Sequence, residues 1–169
     1  MNTGEALMRL EGHTDIVSVL RFDESGTQLL SGSADRLIIL WKIEPDVRDS
    51  FHAVRFIGHT DLINDVDFSP DEVDDTIVSG SEDRRIILWD SSTGEILQIL
   101  GEQSSPITTV QFTPDGFGVV FGTLDGRVLF KGVDTSAEII EWAENNRYIL
   151  PCEALGQRDD EIESCSSET

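Results

Sequence analysis

The chain has 169 residues, 38% of them apolar and 27% charged, which is enough apolar material to pack one domain. It holds 33 Asp and Glu against 12 Lys and Arg, a net charge of −21 that sets it against nucleic-acid phosphates and anionic lipid. Its longest apolar run, Leu37 to Trp41, falls far short of the roughly 20 residues of a membrane span, and the opening MNTGEALMRLEGH has neither the basic start nor the apolar stretch of a secretory signal.

The first predicted strand is Val17 to Phe22, short and rich in apolar and β-branched residues, and the turn Asp23-Glu24-Ser25-Gly26 ends it. Gln28 to Gly32 is the second strand. A tight turn through Ser33-Ala34-Asp35-Arg36 leads to the third, Leu37 to Trp41, and Phe51 to Ile57 is the fourth. The pattern then starts again. GHTDIVSVLRF at 12–22 returns 46 residues later as GHTDLINDVDF at 58–68. LSGSADRLIILW at 30–41 returns as VSGSEDRRIILW at 78–89, now 48 residues later, because the second copy holds two extra residues in the acidic stretch Asp71 to Asp75. Ile96 to Leu100 is the fourth strand of that copy. A weaker third copy begins at Gly101 and runs through ITTVQFTPDGFGVVFGTLDGRVLF, turning at Thr113-Pro114-Asp115-Gly116. Phe22, Phe68 and Phe112 align across the copies, as do Gly32, Gly80, Gly122 and Asp35, Asp83, Asp125.

Residues 134–169 differ in composition and are strongly acidic. Thr135 to Glu138 has the form of a helix-starting capping box, Ile139, Ile140, Trp142, Ala143 and Ile149 give a partly apolar face, and Pro151 is a stop, so 134–151 is a predicted helix. Residues 152–169 are a predicted acidic, disordered tail. The two cysteines, Cys152 and Cys165, form neither a CxxC pair nor a disulfide framework, and a reducing, cytoplasmic location is the simpler reading.

A four-stranded unit of about 45 residues with an opening Gly-His and a closing Trp resembles the WD40 repeat. The resemblance covers residues 5 to about 132, strongly in two copies and more weakly in the third, and the Trp-Asp pair itself stands at Trp89-Asp90. It implies an all-β fold: a partial WD40-type β-propeller of about three four-stranded blades over residues 1–133, followed by the short C-terminal helix. It also implies a buried, hydrogen-bonded set in each blade, His13, Ser31, Asp35 and Trp41 in the first and His59, Ser79, Asp83 and Trp89 in the second. A buried imidazole and carboxylate are costly unless satisfied, and these groups can satisfy one another. The third copy departs from this, with Glu102, Phe121 and Lys131 at the His, Ser and Trp positions. It is expected to hold by packing of Ile107, Val110, Phe112, Val119, Phe121, Val128 and Phe130, and to be the least stable.

The first residues, TGEALMRLEGH, match a fourth strand plus Gly-His, so the chain reads as beginning inside a blade, and that strand could complete the third copy. Propellers have about four to eight blades, so three imply either part of a larger array or a homodimer that completes a ring. The text EIIEWAENNRYI is similar to the C-terminal tail of large bacterial WD-repeat proteins, which implies the end of a longer array.

Candidate chemistry is sparse. His13 and His59 belong to the blade sets, His52 reads as a surface residue, and no two histidines have metal-ligand spacing. The Asp71 to Asp75 cluster lacks the Gly and distal Glu of a calcium loop and reads as a solvated hairpin tip, and its DEVD text, which resembles a caspase site, reads as coincidence. No cofactor, metal or catalytic residue is expected. The sequence therefore points to a non-catalytic protein-protein interaction scaffold, with a propeller enzyme bearing an unrecognised site, or a truncated gene product, as the alternatives. The expected contact surface is the end where two loops of each blade meet: Asp15, Ala34 and Arg36 in the first, Asp61, Glu82 and Arg84 in the second. The expected partner is a protein of basic or mixed charge, with no nucleic acid and no membrane.

Overall fold

A computed structural model describes residues 9–43, 52–70 and 75–133, all within the compact unit Met1–Asp134. The described residues form eleven strands: β1 (Val17–Phe22), β2 (Gln28–Ser33), β3 (Leu37–Lys42), β4 (Ala53–Ile57), β5 (Ile63–Phe68), β6 (Thr76–Ser81), β7 (Arg85–Asp90), β8 (Ile96–Glu102), β9 (Ile107–Phe112), β10 (Gly118–Thr123) and β11 (Val128–Gly132). No helix occurs among the described residues. The predicted helix at 134–151, the acidic tail and its bacterial likeness, the N-terminal strand and Asp71 to Asp74 lie outside them.

The strands make three antiparallel sheets, each following chain order: β1-β2-β3-β4, β5-β6-β7-β8, and a third of three strands, β9-β10-β11. Register repeats with the sequence. Leu29 faces Trp41 and Ser31 faces Ile39 in the first sheet, as Ile77 faces Trp89 and Ser79 faces Ile87 in the second. Each sheet also has an irregularity at the same place, around Ser18, Asn64 and Thr108. A bulge re-aims the extra side chain. Ser18 Oγ donates to the carbonyl of Ile63, and Asn64 Nδ2 donates to that of Ile107 at 2.7 Å, so the first two bulges reach the next sheet.

The sheets pack face to face because the strands are apolar on both faces, as double burial requires. Leu30, Ile38, Leu40 and Phe56 of the first sheet meet Ile63, Val66, Ile77, Ile87 and Trp89 of the second. Val78, Ile86, Leu88 and Leu100 on the second sheet's other face meet Ile107, Val110, Phe112, Val119 and Phe121 of the third. Burying one such side chain stabilises by about 1.5–3 kcal/mol, so these two layers dominate the packing. Val128 and Phe130, expected in the third core, are instead 76% and 52% exposed. Side chains alternate along a strand, and the register that turns Leu129 toward the second sheet turns these two away from it.

Candidate functional site

Each four-stranded sheet contains one buried polar chain that links the opening Gly-His to the strands. In the second, Trp89 Nε1 donates to Ser79 Oγ at 2.8 Å, Ser79 Oγ lies 2.8 Å from His59 Nε2, and His59 Nδ1 donates to Asp83 at 2.8 Å. A carboxylate only accepts, so the Nδ1 proton points at Asp83, and Ser79 Oγ bridges the indole N–H and Nε2. Asp83 also accepts from the backbone N–H groups of Thr60, 2.9 Å, and Arg85, 2.9 Å, and so ties three elements together. The first sheet repeats the set with Trp41, Ser31, His13 and Asp35 at 2.8, 2.8 and 2.9 Å, with Thr14 and Leu37 as the backbone donors to Asp35. The imidazole and carboxylate side chains are only 1% and 4% exposed in the second set. Burial by itself would raise the Asp83 carboxyl. The His59 hydrogen bond, the Thr60 N–H, the imidazole charge and the Arg85 N–H outweigh it and hold the group down at about 2. Asp35 is lowered for the same reasons, with Thr14 and Leu37 contributing most against burial.

The third sheet has no such chain. Glu102 turns outward to Arg84 Nη2 at 2.6 Å, and Lys131 Nζ donates to the carbonyl of Leu100. Asp125 nevertheless has partners, both local: it accepts from Thr123 Oγ1 at 2.5 Å and from Arg127 Nη2 at 2.6 Å, and these keep its carboxyl below the usual range at the surface.

The six residues expected at the contact surface lie in the loops before β1 and β5 and in the β2–β3 and β6–β7 turns. The Ala34 N–H donates to the carbonyl of Ile16 and the Glu82 N–H to that of Leu62, both at 2.9 Å, so in each repeat the β2–β3 or β6–β7 turn is pinned to the loop that carries Asp15 or Asp61. Asp15 and Asp61 cap the N–H groups of Ile16 and Leu62, and Glu82 accepts from Asn64. Arg36 and Arg84 are exposed at φ 72° and 70°, a left-handed conformation that costs a side-chain-bearing residue roughly 1 kcal/mol. Gly126 occupies the corresponding turn of the third sheet at φ 86° without that cost.

The family described as WD domain, G-beta repeat (WD40) matches residues 4–42 and 51–90. These two segments are WD40 repeats. The chain is 30% identical over 115 residues to THO complex subunit 3 of Arabidopsis thaliana, covering 68% of this chain and 36% of that protein. It is 40% identical over 78 residues to an uncharacterized WD repeat-containing protein of Synechocystis, covering 46% of this chain and 22% of that one. It is also 26% identical over 152 residues to eukaryotic translation initiation factor 3 subunit I of Kluyveromyces lactis, covering 86% and 42%. The chain thus spans less than half the length of each. The matched segments are offset by one strand from the sheets: residues 4–42 end with β3, and residues 51–90 run from β4 to β7, so that each segment holds one complete polar chain, while β8 to β11 lie beyond them.

Sequence reasoning did not single out the charged residues between the sheets. Asp65 accepts from Thr109 Oγ1 at 2.7 Å and from the Val110 N–H at 3.0 Å, while Asp67 accepts from the Phe112 N–H at 3.0 Å. Arg21 reaches both carboxylates from the first sheet, at 3.4 and 3.7 Å. Burial raises the Asp67 carboxyl, and the nearby Asp65 charge adds to this against the Phe112 N–H and Arg21. The signal was present: two carboxylates at alternating positions in the strand INDVDF mark one polar face.

Proposed function

We propose that the chain is a non-catalytic scaffold for protein-protein contacts, with the loop end that carries Asp15, Ala34, Arg36, Asp61, Glu82 and Arg84 as its docking surface. One observation carries this reading. The His and Asp of each buried polar chain are already engaged with one another, while the loop end is pinned by backbone hydrogen bonds and offers exposed charged groups, Arg36 and Arg84 among them. WD40 repeats generally serve as protein-interaction scaffolds, and two of the relatives are named as subunits of larger assemblies.

With the chain at −21, complementary charge favours a partner of basic or mixed surface, whose encounter rate falls as salt rises. The cytoplasm fits the cysteine usage and belongs to the same proposal. The test is affinity capture with quantitative mass spectrometry, run in parallel on the wild type and on an Arg36→Glu/Arg84→Glu variant of matched thermal stability. A partner that is retained by the wild type and lost from the variant supports the reading. Turnover by the wild type on a generic hydrolase panel, lost on His59→Ala, overturns it in favour of an enzyme.

A further inference from the structure

We propose that the third sheet is a docking face for a second copy of this chain, which seats its first sheet there head to tail. The proposal rests on the sheet packing and not on the loop-end reading above.

The three sheets offer the same positions to whatever follows them. Leu30, Ile38 and Leu40 of the first sheet are 0%, 0% and 1% exposed because the second sheet covers them. Their equivalents in the second sheet, Val78, Ile86 and Leu88, are 0%, 0% and 5% exposed under the third. In the third sheet the same positions are Val120, Val128 and Phe130, and they are 36%, 76% and 52% exposed. The residue types suit burial, yet no described residue covers them. The opposite half of the interface is open on the first sheet. Leu20 of β1 is 60% exposed, whereas its equivalents Val66 and Val110 are 0% and 1% exposed beneath the preceding sheet, and Phe22 is 57% exposed, whereas Phe112 is 7% exposed and Phe68 is partly buried against the first core cluster.

The polar groups follow the same rule. Ser18 and Asn64 each donate to a carbonyl of the following sheet, and Arg21 and Asp67 each reach across to it. Thr108 and Gln111 hold these positions in β9. The molecule thus presents one donor half and one acceptor half of an interface that it forms twice within itself, and this complementarity identifies the occupant as another first sheet. Such a contact is heterologous. Two copies related by a two-fold axis satisfy both open halves and give six sheets, and a rotation that fails to close gives longer oligomers.

Sedimentation of the 169-residue chain across concentration and salt tests this. The wild type should associate, and more tightly as salt screens its negative charge. Phe130→Glu and Leu20→Glu each alter a side chain that is already exposed, so each should remain folded and run as a monomer. Mixed one to one, these two variants should form a heterodimer that grows no further, since only one intact donor half and one intact acceptor half remain. A wild type that is monomeric at every concentration and salt overturns the proposal. So does a Phe130→Glu variant that associates like the wild type, or a mixture that stays monomeric.

Discussion

Asp83 differs from Asp125 by its burial and by what depends on it. Removing the Asp83 carboxylate strands the His59 Nδ1–H and two backbone N–H groups, and unsatisfied buried donors are what make such losses large. Asp83→Ala should cost about 1–3 kcal/mol in urea denaturation. Asp125→Ala should cost clearly less, because Arg127 lies at the surface and can turn to water, while the buried Thr123 hydroxyl keeps the Arg127 carbonyl as a second acceptor. The reverse order would disprove the structural role assigned to the buried chain. Acid acts on the same group. Its folded value of about 2 lies below that of an unfolded aspartate, so the native state binds its proton later. The stability it contributes, on the order of 1–2 kcal/mol, is complete above about pH 5 and should be lost as pH falls toward 2. Urea midpoints measured between pH 6 and pH 2.5 should decline for the wild type and decline less for Asp83→Asn. Asp67 has the opposite sign, since its raised carboxyl protonates first in the native state and partly offsets the loss.

At the scale of the element, close approach between sheets makes one glycine position informative. A Cβ on Gly80 would stand 2.5 Å from Ile107 Cγ2 of the next sheet, and one on Gly32 would stand 2.6 Å from Ile63 Cγ2. At Gly122 the nearest atoms, at 2.9 and 3.2 Å, belong to Thr109 and Thr108 of its own sheet. Gly80→Ala should therefore lower stability by about 1–3 kcal/mol through overpacking, and Gly122→Ala by less, as read from thermal midpoints. The turns give a change in the other direction. Replacing Arg84 with Gly relieves a left-handed side-chain conformation, so stability read at the thermal midpoint should hold or rise, by up to about 1 kcal/mol, despite the loss of the exposed pair with Glu102. A clear fall would show that the pair outweighs the strain.

At the scale of the whole molecule, the repeated sheets form a stack whose two ends differ. Each internal interface buries one apolar layer, so an unmatched layer remains at β1 and another at β10 and β11. Burying them is favourable, and the net charge of −21 opposes it over a Debye length of about 10 Å at 0.1 M salt. Raising salt should therefore raise both the sedimentation coefficient and the thermal midpoint, and the midpoint should depend on protein concentration, because association stabilises only the folded chain.

Much of this was legible in the amino-acid text. The repeat of GHTD and of SGS-x-D in register, with β-branched runs between turns, located the strands, because each is a local pattern copied at fixed spacing, while the membership of both polar chains followed from the resemblance to the WD40 repeat. Periodicity alone could not say which face of the third sheet is covered. Val128 and Phe130 are as apolar as Ile86 and Leu88, and only the presence of a neighbouring sheet decides that one pair is buried and the other exposed. The same holds for Arg21, Asp65 and Asp67. Their charges are visible in the sequence, but their pairing joins residues about 45 positions apart on different sheets, and that depends on how the sheets stack rather than on any one strand.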